Sequence, residues 1–302
     1  MRVFVLGGTG AIGRPAVDAL VGSGHGVTAL ARTDERAAEL HARGAEPARV
    51  SIFDRRGLTD AFRDHDAVVN LATAQPRSAH FMFLRAWRAT ERVRTGGSAA
   101  VVDAALAADV PVVVQESVAM LYRDSGQGWV DETAPVDEYP MAVGNHAAEA
   151  SANRFTVAGG TGIVLRFGFF YGAGARHAEE FLSMARLGVV PVLGRPDSYL
   201  SSIHVDDGGR AVAAVLDARA GTYNVVDDEP LTKRQYAQAL ADAVDQRAWL
   251  RAPGRAALLL GHRTTSLSRS VRASNSTLRE ATGWSPCFPS AREGWRQMAQ
   301  LG

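Results

Sequence analysis

Three glycines near the amino terminus are spaced so that the backbone between them could bind a phosphate group. They belong to the segment Gly7–Gly13, which reads Gly-Gly-Thr-Gly-Ala-Ile-Gly. Glycine lets the chain turn tightly and approach a pyrophosphate, and a following helix presents free N–H groups at its positive end. The apolar run Arg2–Leu6 precedes the motif and a helical pattern follows it, as dinucleotide binding requires. The alternative is a glycine-rich turn without a ligand.

The residues after the second predicted strand discriminate between two dinucleotides. NAD-binding proteins of this kind place Asp or Glu there, because a carboxylate accepts from the ribose 2′-hydroxyl. This chain has Ala31-Arg32-Thr33 instead. A guanidinium binds a 2′-phosphate in a forked geometry, whereas a carboxylate repels it. We therefore predict NADPH as the cofactor, the alternative being that Arg32 is a solvated loop arginine.

Elements that would position these residues alternate along the first half of the chain. The predicted strands are Arg2–Leu6, Gly26–Ala31, Ala48–Ile52, Ala67–Leu71, Val110–Gln115, Gly162–Phe167 and Thr222–Val226. The predicted helices between them are Ile12–Val21, Asp34–His41, Gly57–Phe62 and Ser98–Ala107. This alternation predicts right-handed βαβ units and an α/β fold, a Rossmann-type doubly wound parallel sheet of seven strands.

The second half of the chain mixes helical patterns with loops rich in glycine and proline, such as Gly172-Ala173-Gly174 and Pro191–Pro196. This composition favours a small C-terminal substrate cap over the edge of the sheet where open α/β sheets bind ligands. We predict a dinucleotide-binding Rossmann domain over residues 1–168 and 201–228. The substrate-binding cap is predicted over residues 169–200 and 229–302.

Further segments follow the glycine motif in a characteristic order: Asp54, Asn70-Leu71-Ala72, Glu116-Ser117, Leu165–Gly172, Ile203–Asp207 and Thr277–Pro286. Together they resemble the extended short-chain dehydrogenases/reductases, which include nucleotide-sugar epimerases and dehydratases. The resemblance implies that Ser117 is catalytic and that Asp54 contacts adenine. The cofactor-binding residues predicted from the motif and the resemblance are Gly7, Thr9, Gly10, Ala11, Ile12, Gly13, Arg32, Thr33, Asp54, Leu71, Ala72, Thr73, Asn145 and Phe167.

The chain departs from this family at the residues that carry its chemistry. The family transfers a proton through Tyr-x-x-x-Lys, but Lys233 is the only lysine here and Glu229 stands four residues before it. Alignment on Ala147-Ala148-Glu149 places Met141 in the Tyr position and Asn145 in the Lys position. Arg94 replaces an Asn that the family often has on the fourth helix. Of the four usual positions, only Ser117 is retained.

Three functions are compatible with this pattern. The first is an NADPH-dependent ketoreductase acting on a bulky aromatic polyketide, such as an angucyclinone, in antibiotic biosynthesis, because reductases of this atypical type occur in such pathways. General acid catalysis contributes only about 10²–10⁴-fold, so a substrate whose own phenol polarises its carbonyl can do without the tyrosine. The second is a non-catalytic NADP(H) sensor, and the third is an epimerase or dehydratase, which is hard to drive without Tyr and Lys.

Other polar and aromatic residues are candidates for the missing roles. Tyr139 and His146 are alternative acids, each more often a packing or surface residue. Tyr171 and Tyr199 are expected to border the cap pocket, and His204 is expected to have a structural role after the cap. Arg94 would stabilise an oxyanion or, more commonly, form a salt bridge on a helix surface. The aromatic stretches Phe81–Phe83, Trp87 and Phe167–Tyr171 would line a flat apolar pocket or pack in the core.

Composition excludes several other classes of protein. The net charge is +1, so attraction to nucleic acid or an anionic membrane is not expected. Cys287 is the only cysteine, so a disulfide within the chain is impossible and no metal site is expected. The apolar runs are too short to span a membrane. We predict a cytoplasmic monomer or homodimer with a small-molecule aromatic ketone as its substrate.

Overall fold

The Val- and Ile-rich runs of the sequence form strands, and the glycine motif follows the carboxyl end of the first strand. The computed structural model describes residues 1–76, 80, 83–190, 192, 194–246, 250–251 and 268–301. Its strands are β1 (Arg2–Leu6), β2 (Gly26–Leu30), β3 (Glu46–Ala48), β4 (Ala67–Asn70), β5 (Val112–Val118), β6 (Trp129–Val130), β7 (Thr161–Phe167), β8 (Phe169–Tyr171), β9 (Val189–Val190), β10 (Tyr199–Leu200), β11 (Ser202–His204), β12 (Gly221–Val225), β13 (Leu231–Thr232), β14 (Leu250–Arg251) and β15 (Arg272–Ala273).

Helices connect these strands and cover the sheet. The α-helices are α1 (Gly13–Gly22), α2 (Asp34–Ala42), α3 (Arg55–Phe62), α4 (Arg88–Arg92), α5 (Ser98–Ala107), α6 (Val143–Val157), α7 (Arg176–Arg186), α8 (Val205–Ala214), α9 (Lys233–Ala243), α10 (Ser276–Thr282) and α11 (Ala291–Leu301). A π-helical turn, Val93–Gly97, joins α4 to α5.

Seven strands form one parallel sheet in the order β12–β7–β5–β4–β1–β2–β3. In β1, Val3 lies opposite Val27 of β2 and Ala67 of β4. The chain order therefore reverses between β1 and β4, and open α/β sheets bind ligands at the carboxyl ends of the strands beside such a point. The predicted fold class, a Rossmann-type doubly wound sheet, is confirmed.

Successive side chains of the strands point to opposite faces, and each face is buried under helices. Val5 and Val114 pack in a core with α1 and α8, whereas Phe4 and Val113 pack in a second core with α3, α5 and α6. Helices α1 and α8 approach closely, since a Cβ placed on Gly209 would lie 2.4 Å from the carbonyl carbon of Pro15. This packing fixes the start of α1, which follows the glycine motif.

A separate apolar cluster lies in the second half of the chain. Its largest members are Tyr171, Tyr236 and Trp295, which pack with α7, α9 and α11. Leu278 and Trp284 pack instead in the core beside α1 and α8. The predicted boundaries of the Rossmann domain and the cap stay a prediction.

One predicted strand is wrong in position. We expected Ala48–Ile52, but β3 is Glu46–Ala48 and pairs with β2. The chain turns after it, since the Asp54 N–H donates to the Ser51 carbonyl oxygen at 2.9 Å, and α3 begins at Arg55. The apolar pattern of residues 48–52 therefore belongs to an edge strand and the turn that follows it.

Candidate functional site

The glycine motif forms a tight turn between β1 and α1. Gly7 has φ +84°, and the Gly10 N–H donates to the Gly7 carbonyl oxygen at 2.9 Å. A Cβ on Gly7 would lie 2.6 Å from the carbonyl carbon of Leu71, and a Cβ on Gly13 would lie 2.0 Å from the Gly7 carbonyl oxygen. Both positions therefore require glycine to hold the turn closed.

The outer side of this turn is open at Gly10. This residue is exposed, and a Cβ placed on it would meet, among the described atoms within 4 Å, the Gly7 carbonyl oxygen alone at 3.2 Å. In the described part of the chain, no side chain caps the amino end of α1 and no acid lies in its first turn. These features fit a pyrophosphate at the amino end of α1, where free N–H groups and the helix dipole stabilise an anion.

The residues predicted to bind the adenosine half of the dinucleotide lie in the segments that follow β2 and β3. Arg32 is exposed, and no ion pair joins it to another described residue. The Thr33 hydroxyl accepts from the Arg36 N–H at 3.3 Å and so caps α2, and Asp54 caps α3 in the same way through the Gly57 N–H at 3.1 Å. Because both side chains already cap helices, their role in binding a dinucleotide stays a prediction.

The loop after β4 lies against the glycine turn. The buried Asn70 side chain donates to Gln115 Oε1 at 2.8 Å, and its Oδ1 accepts from the Ala72 N–H at 3.3 Å. Leu71 is buried, Ala72 is half-buried and Thr73 is exposed. Asn70 therefore fixes the path of three predicted cofactor-binding residues beside the crevice between β1 and β4.

Ser117 is placed in a buried ionic network. Its hydroxyl donates to Glu149 Oε1 at 2.6 Å, and Arg166 donates from Nε and Nη2 to the two oxygens of Glu149 at 2.9 and 2.7 Å. The Ser117 side chain is fully buried. In this arrangement its proton is directed to a carboxylate, and the catalytic role assigned to Ser117 stays a prediction.

A second buried network contains Asn145, the residue in the Lys position. The Arg94 Nη1 atom donates to Asn145 Oδ1 at 2.6 Å, while Nη2 donates to both oxygens of Glu116 at 2.6 and 2.7 Å. Burial raises the pKa of Glu116, and the Arg94 charge opposes this rise. The expected surface salt bridge of Arg94 is therefore wrong, because its side chain is 3% exposed and forms a buried ion pair. A role of Arg94 at an oxyanion stays a prediction.

Met141, in the Tyr position, lies in an apolar environment with Val118 and Leu121. The alternative acids near it are already engaged. Tyr139 donates to the Met120 carbonyl oxygen at 3.1 Å, and burial raises its pKa to about 12. His146 Nε2 lies 2.9 Å from the Asp137 carbonyl oxygen. Neither side chain is placed as a free proton donor.

The aromatic stretches divide between core and surface. Phe167 is fully buried and its ring centroid lies 5.3 Å from that of Phe170, and its binding to the cofactor stays a prediction. Phe83 is 60% exposed, and Phe81 and Met82 lie outside the described residues. A flat pocket lined by these aromatic residues stays a prediction.

Tyr171, Tyr199 and His204 have structural contacts. His204 Nδ1 accepts from the Asp206 N–H at 3.3 Å at the start of α8. The ring of Tyr171, which belongs to the apolar cluster with Tyr236 and Trp295, packs on His204. Tyr199 lies under the guanidinium of Arg272, 4.7 Å from its ring centroid. Within the described ranges there is no cluster of metal-binding side chains and no helix long and apolar enough to cross a membrane.

Comparison with known proteins defines the class. A model of the NAD dependent epimerase/dehydratase family matches residues 3–226. The "3-diazoavenalumate denitrifying reductase" of a Streptomyces species is 34% identical over 97% of this chain and 99% of its own. A "4-hydroxy-2-methyl-3-oxo-4-farnesyl-3,4-dihydroquinoline-1-oxide ketoreductase" of Stigmatella aurantiaca is 31% identical over 57% of this chain and 51% of its own.

A solved structure of UDP-glucose 4-epimerase from Thermus thermophilus, in complex with NAD, is also similar. It covers 99% of this chain and 98% of its own at 25% identity, with a TM-score of 0.80. The chain therefore belongs to the NAD dependent epimerase/dehydratase family, as its sequence motifs indicate. The reductase names of its relatives support an oxidoreductase of this family that binds a nicotinamide dinucleotide.

Sequence reasoning missed one member of the site. Glu116 was noted only as the neighbour of Ser117, yet it holds Arg94. The available signal was an acid directly after the predicted strand Val110–Gln115, since a buried carboxylate requires a paired cation.

Proposed function

We propose that this protein is an NADPH-dependent reductase that delivers hydride to a small aromatic acceptor without a Tyr–Lys proton relay. The observation that carries the proposal is the combination of an intact glycine turn with Met141 and Asn145 at the Tyr and Lys positions. The turn supports binding of the dinucleotide, and the substituted pair supports an acceptor that needs no proton from the enzyme.

The residues at the crevice fit a dinucleotide. The free N–H groups at the start of α1 would hold the pyrophosphate above Gly10, and the exposed Arg32 would hold the 2′-phosphate. The loop fixed by Asn70 would line the same crevice. When bound, the reduced nicotinamide supplies a hydride to an electrophilic atom.

Proton supply discriminates between acceptors. Reduction of a ketone adds a hydride and a proton, so an acid must be available at the carbonyl oxygen. Ser117 donates to Glu149, Tyr139 donates to a carbonyl oxygen, and Met141 has no proton to give. These contacts favour an acceptor that is reduced by hydride alone.

An aryl diazonium group is such an acceptor. Hydride adds to the cationic Ar–N₂⁺ group, and loss of dinitrogen leaves Ar–H, so electrons and atoms balance without an added proton. The Streptomyces relative that spans nearly the whole chain carries the name of a denitrifying reductase of a diazo compound. We therefore place the aryl diazonium first among the acceptors.

An aromatic ketone is the second candidate. It is favoured by the relative named a ketoreductase, and a phenol beside the carbonyl would replace the missing acid. An angucyclinone-like polyketide of an antibiotic pathway has this arrangement. Here NADPH is again the reductant, and the enzyme binds and orients the substrate.

The test mixes the protein and NADPH with an aryl diazonium, and separately with an aromatic hydroxyketone. We expect loss of the dihydronicotinamide absorbance with the diazonium and release of one dinitrogen per NADPH, measured by mass spectrometry. An alcohol formed from the ketone, without turnover of the diazonium, would support the second candidate. Binding of NADPH without turnover of either acceptor would overturn both and favour a non-catalytic sensor.

A further inference from the structure

The side-chain amide of Asn145 has only one orientation compatible with its neighbour. Arg94 Nη1 lies 2.6 Å from the amide atom assigned as Oδ1. A guanidinium has donors and no acceptors, so the amide must present its oxygen to Arg94 and direct Nδ2 elsewhere. Arg94 thereby determines which way this amide faces.

Arg94 is itself held rigidly. Both oxygens of Glu116 accept from its Nη2 atom, and both side chains of this ion pair are 3% exposed. The residue lies in the π-helical turn Val93–Gly97, against which α6 packs so closely that a Cβ on Gly144 would lie 3.1 Å from the Arg94 Cβ. Turns of this kind are frequent at functional sites.

Two donors of the network are left without a protein acceptor. Asn145 Nδ2 and Arg94 Nε are buried and have no hydrogen-bond partner among the described residues. An unsatisfied buried donor destabilises a protein, so such groups usually have a ligand or water as partner.

The position of the network in the sheet indicates which ligand this is. Glu116 lies in β5, on the β4 side of the point where the strand order reverses, whereas Arg32 follows β2 on the other side. A dinucleotide lies across this point with one mononucleotide half on each side. With the adenosine 2′-phosphate assigned to Arg32, the nicotinamide half lies on the side of Asn145.

We propose that Arg94, anchored by Glu116, is a positioning residue that fixes the Asn145 amide so that Nδ2 donates to an oxygen of the nicotinamide half of the cofactor. The inference rests on the proposed function, because it requires the dinucleotide to bind at the glycine turn. Glu116 also neutralises the Arg94 charge, so the network adds no net positive charge beside the acceptor. A cationic acceptor such as a diazonium is compatible with this arrangement.

The test compares two ligands by calorimetry. NADPH contains both halves, whereas adenosine 2′,5′-bisphosphate lacks the nicotinamide half. Asn145→Ala should weaken NADPH about 3- to 10-fold, the range for one neutral hydrogen bond, and leave the bisphosphate affinity unchanged. Arg32→Ala should weaken both ligands equally, which calibrates the adenosine half. Asn153→Ala, an exposed asparagine on the same helix, should change neither affinity.

A second variant tests the role of Arg94. Arg94→Met combined with Glu116→Gln removes both charges, so no buried charge is left unpaired. It should reproduce the selective loss of NADPH affinity, and adding Asn145→Ala should cause little further loss. Thermal unfolding of every variant reports its fold.

The outcomes separate this inference from the proposed function. If the native protein binds neither ligand, the proposed function fails and the inference fails with it. If NADPH binds and Asn145→Ala weakens both ligands alike or neither, the function stands and the positioning role is refuted. Additive losses in the triple variant would show that Arg94 does not act through Asn145.

Discussion

Replacing Gly10 by Ala tests whether the glycine turn binds the dinucleotide. The added methyl group would fit the folded protein but would occupy the side of the turn where the dinucleotide is proposed to lie. The added methyl would meet the Gly7 carbonyl oxygen at 3.2 Å, and the φ of Gly10 is not in the left-handed region. We therefore expect the unfolding free energy without ligand to change by less than about 1 kcal/mol. The methyl would, however, occupy the open side of the turn.

The neighbouring substitution Gly13→Ala should behave differently. Its Cβ would lie 2.0 Å from the Gly7 carbonyl oxygen and 2.8 Å from two backbone carbons. Backbone atoms cannot rotate away, so we expect a loss of more than about 3 kcal/mol of stability. Gly22→Ala is the matched control, since it lies on the same helix with nothing within 4 Å of the added Cβ.

The assay is thermal unfolding with and without NADPH. At a ligand concentration of 100 times Kd, the native protein gains about 2.7 kcal/mol, and a tenfold weaker Kd reduces this gain to about 1.4 kcal/mol. With a tenfold weaker Kd, Gly10→Ala should thus lose about half of the NADPH-induced rise in Tm, whereas Gly22→Ala should keep all of it. If Gly10→Ala keeps the full rise, the dinucleotide does not bind against this turn.

Three further substitutions test individual side chains. Arg32→Ala should weaken NADPH about 10-fold and leave NADH unchanged, as measured by calorimetry, and equal losses would refute a 2′-phosphate site. Ser117→Ala should cost about 1.5–3 kcal/mol in urea unfolding because a buried bond to the Glu149 carboxylate is lost; unchanged turnover by the folded variant would remove Ser117 from the mechanism. Burial raises the pKa of Asp227 well above 3.8, although the Ser202 hydroxyl donates to it at 2.7 Å. The folded state thus holds this proton more tightly, and stability is full below pH 3.8 and falls as the pH rises towards the folded pKa. Urea unfolding at several pH values should show Asp227→Asn gaining on the native protein by up to about 1.4 kcal/mol per pH unit in this window, and a constant difference would contradict the prediction.

The parallel sheet and the glycine turn follow from local sequence. The predicted ends of β1 (Arg2–Leu6) and α5 (Ser98–Ala107) are correct, because the apolar run and the helical pattern stop at the same residues as the strand and the helix. The third strand was misplaced because Ile52, which continues the apolar pattern, lies in the turn that begins at Ser51. Apolar periodicity identifies elements more reliably than it identifies their ends.

The buried ionic networks could not be predicted in the same way. Arg94 and Glu116 are 22 residues apart, and their contact depends on how a π-helical turn packs against the end of a strand. From the sequence alone, a charged residue is predicted to lie at the surface, because burying an isolated charge destabilises the fold. An opposite charge that offsets this destabilisation is brought near only by the tertiary structure. The burial of Asp227 depends on the tertiary structure in the same way.

The pH dependence of hydride transfer tests the central claim most directly. A single turnover of NADPH-loaded protein with an aryl diazonium should proceed at a rate that stays constant between about pH 6 and about pH 8, because no enzyme acid takes part. A rate that falls tenfold per pH unit across this range would show that a protein group donates a proton, and would contradict reduction by hydride alone.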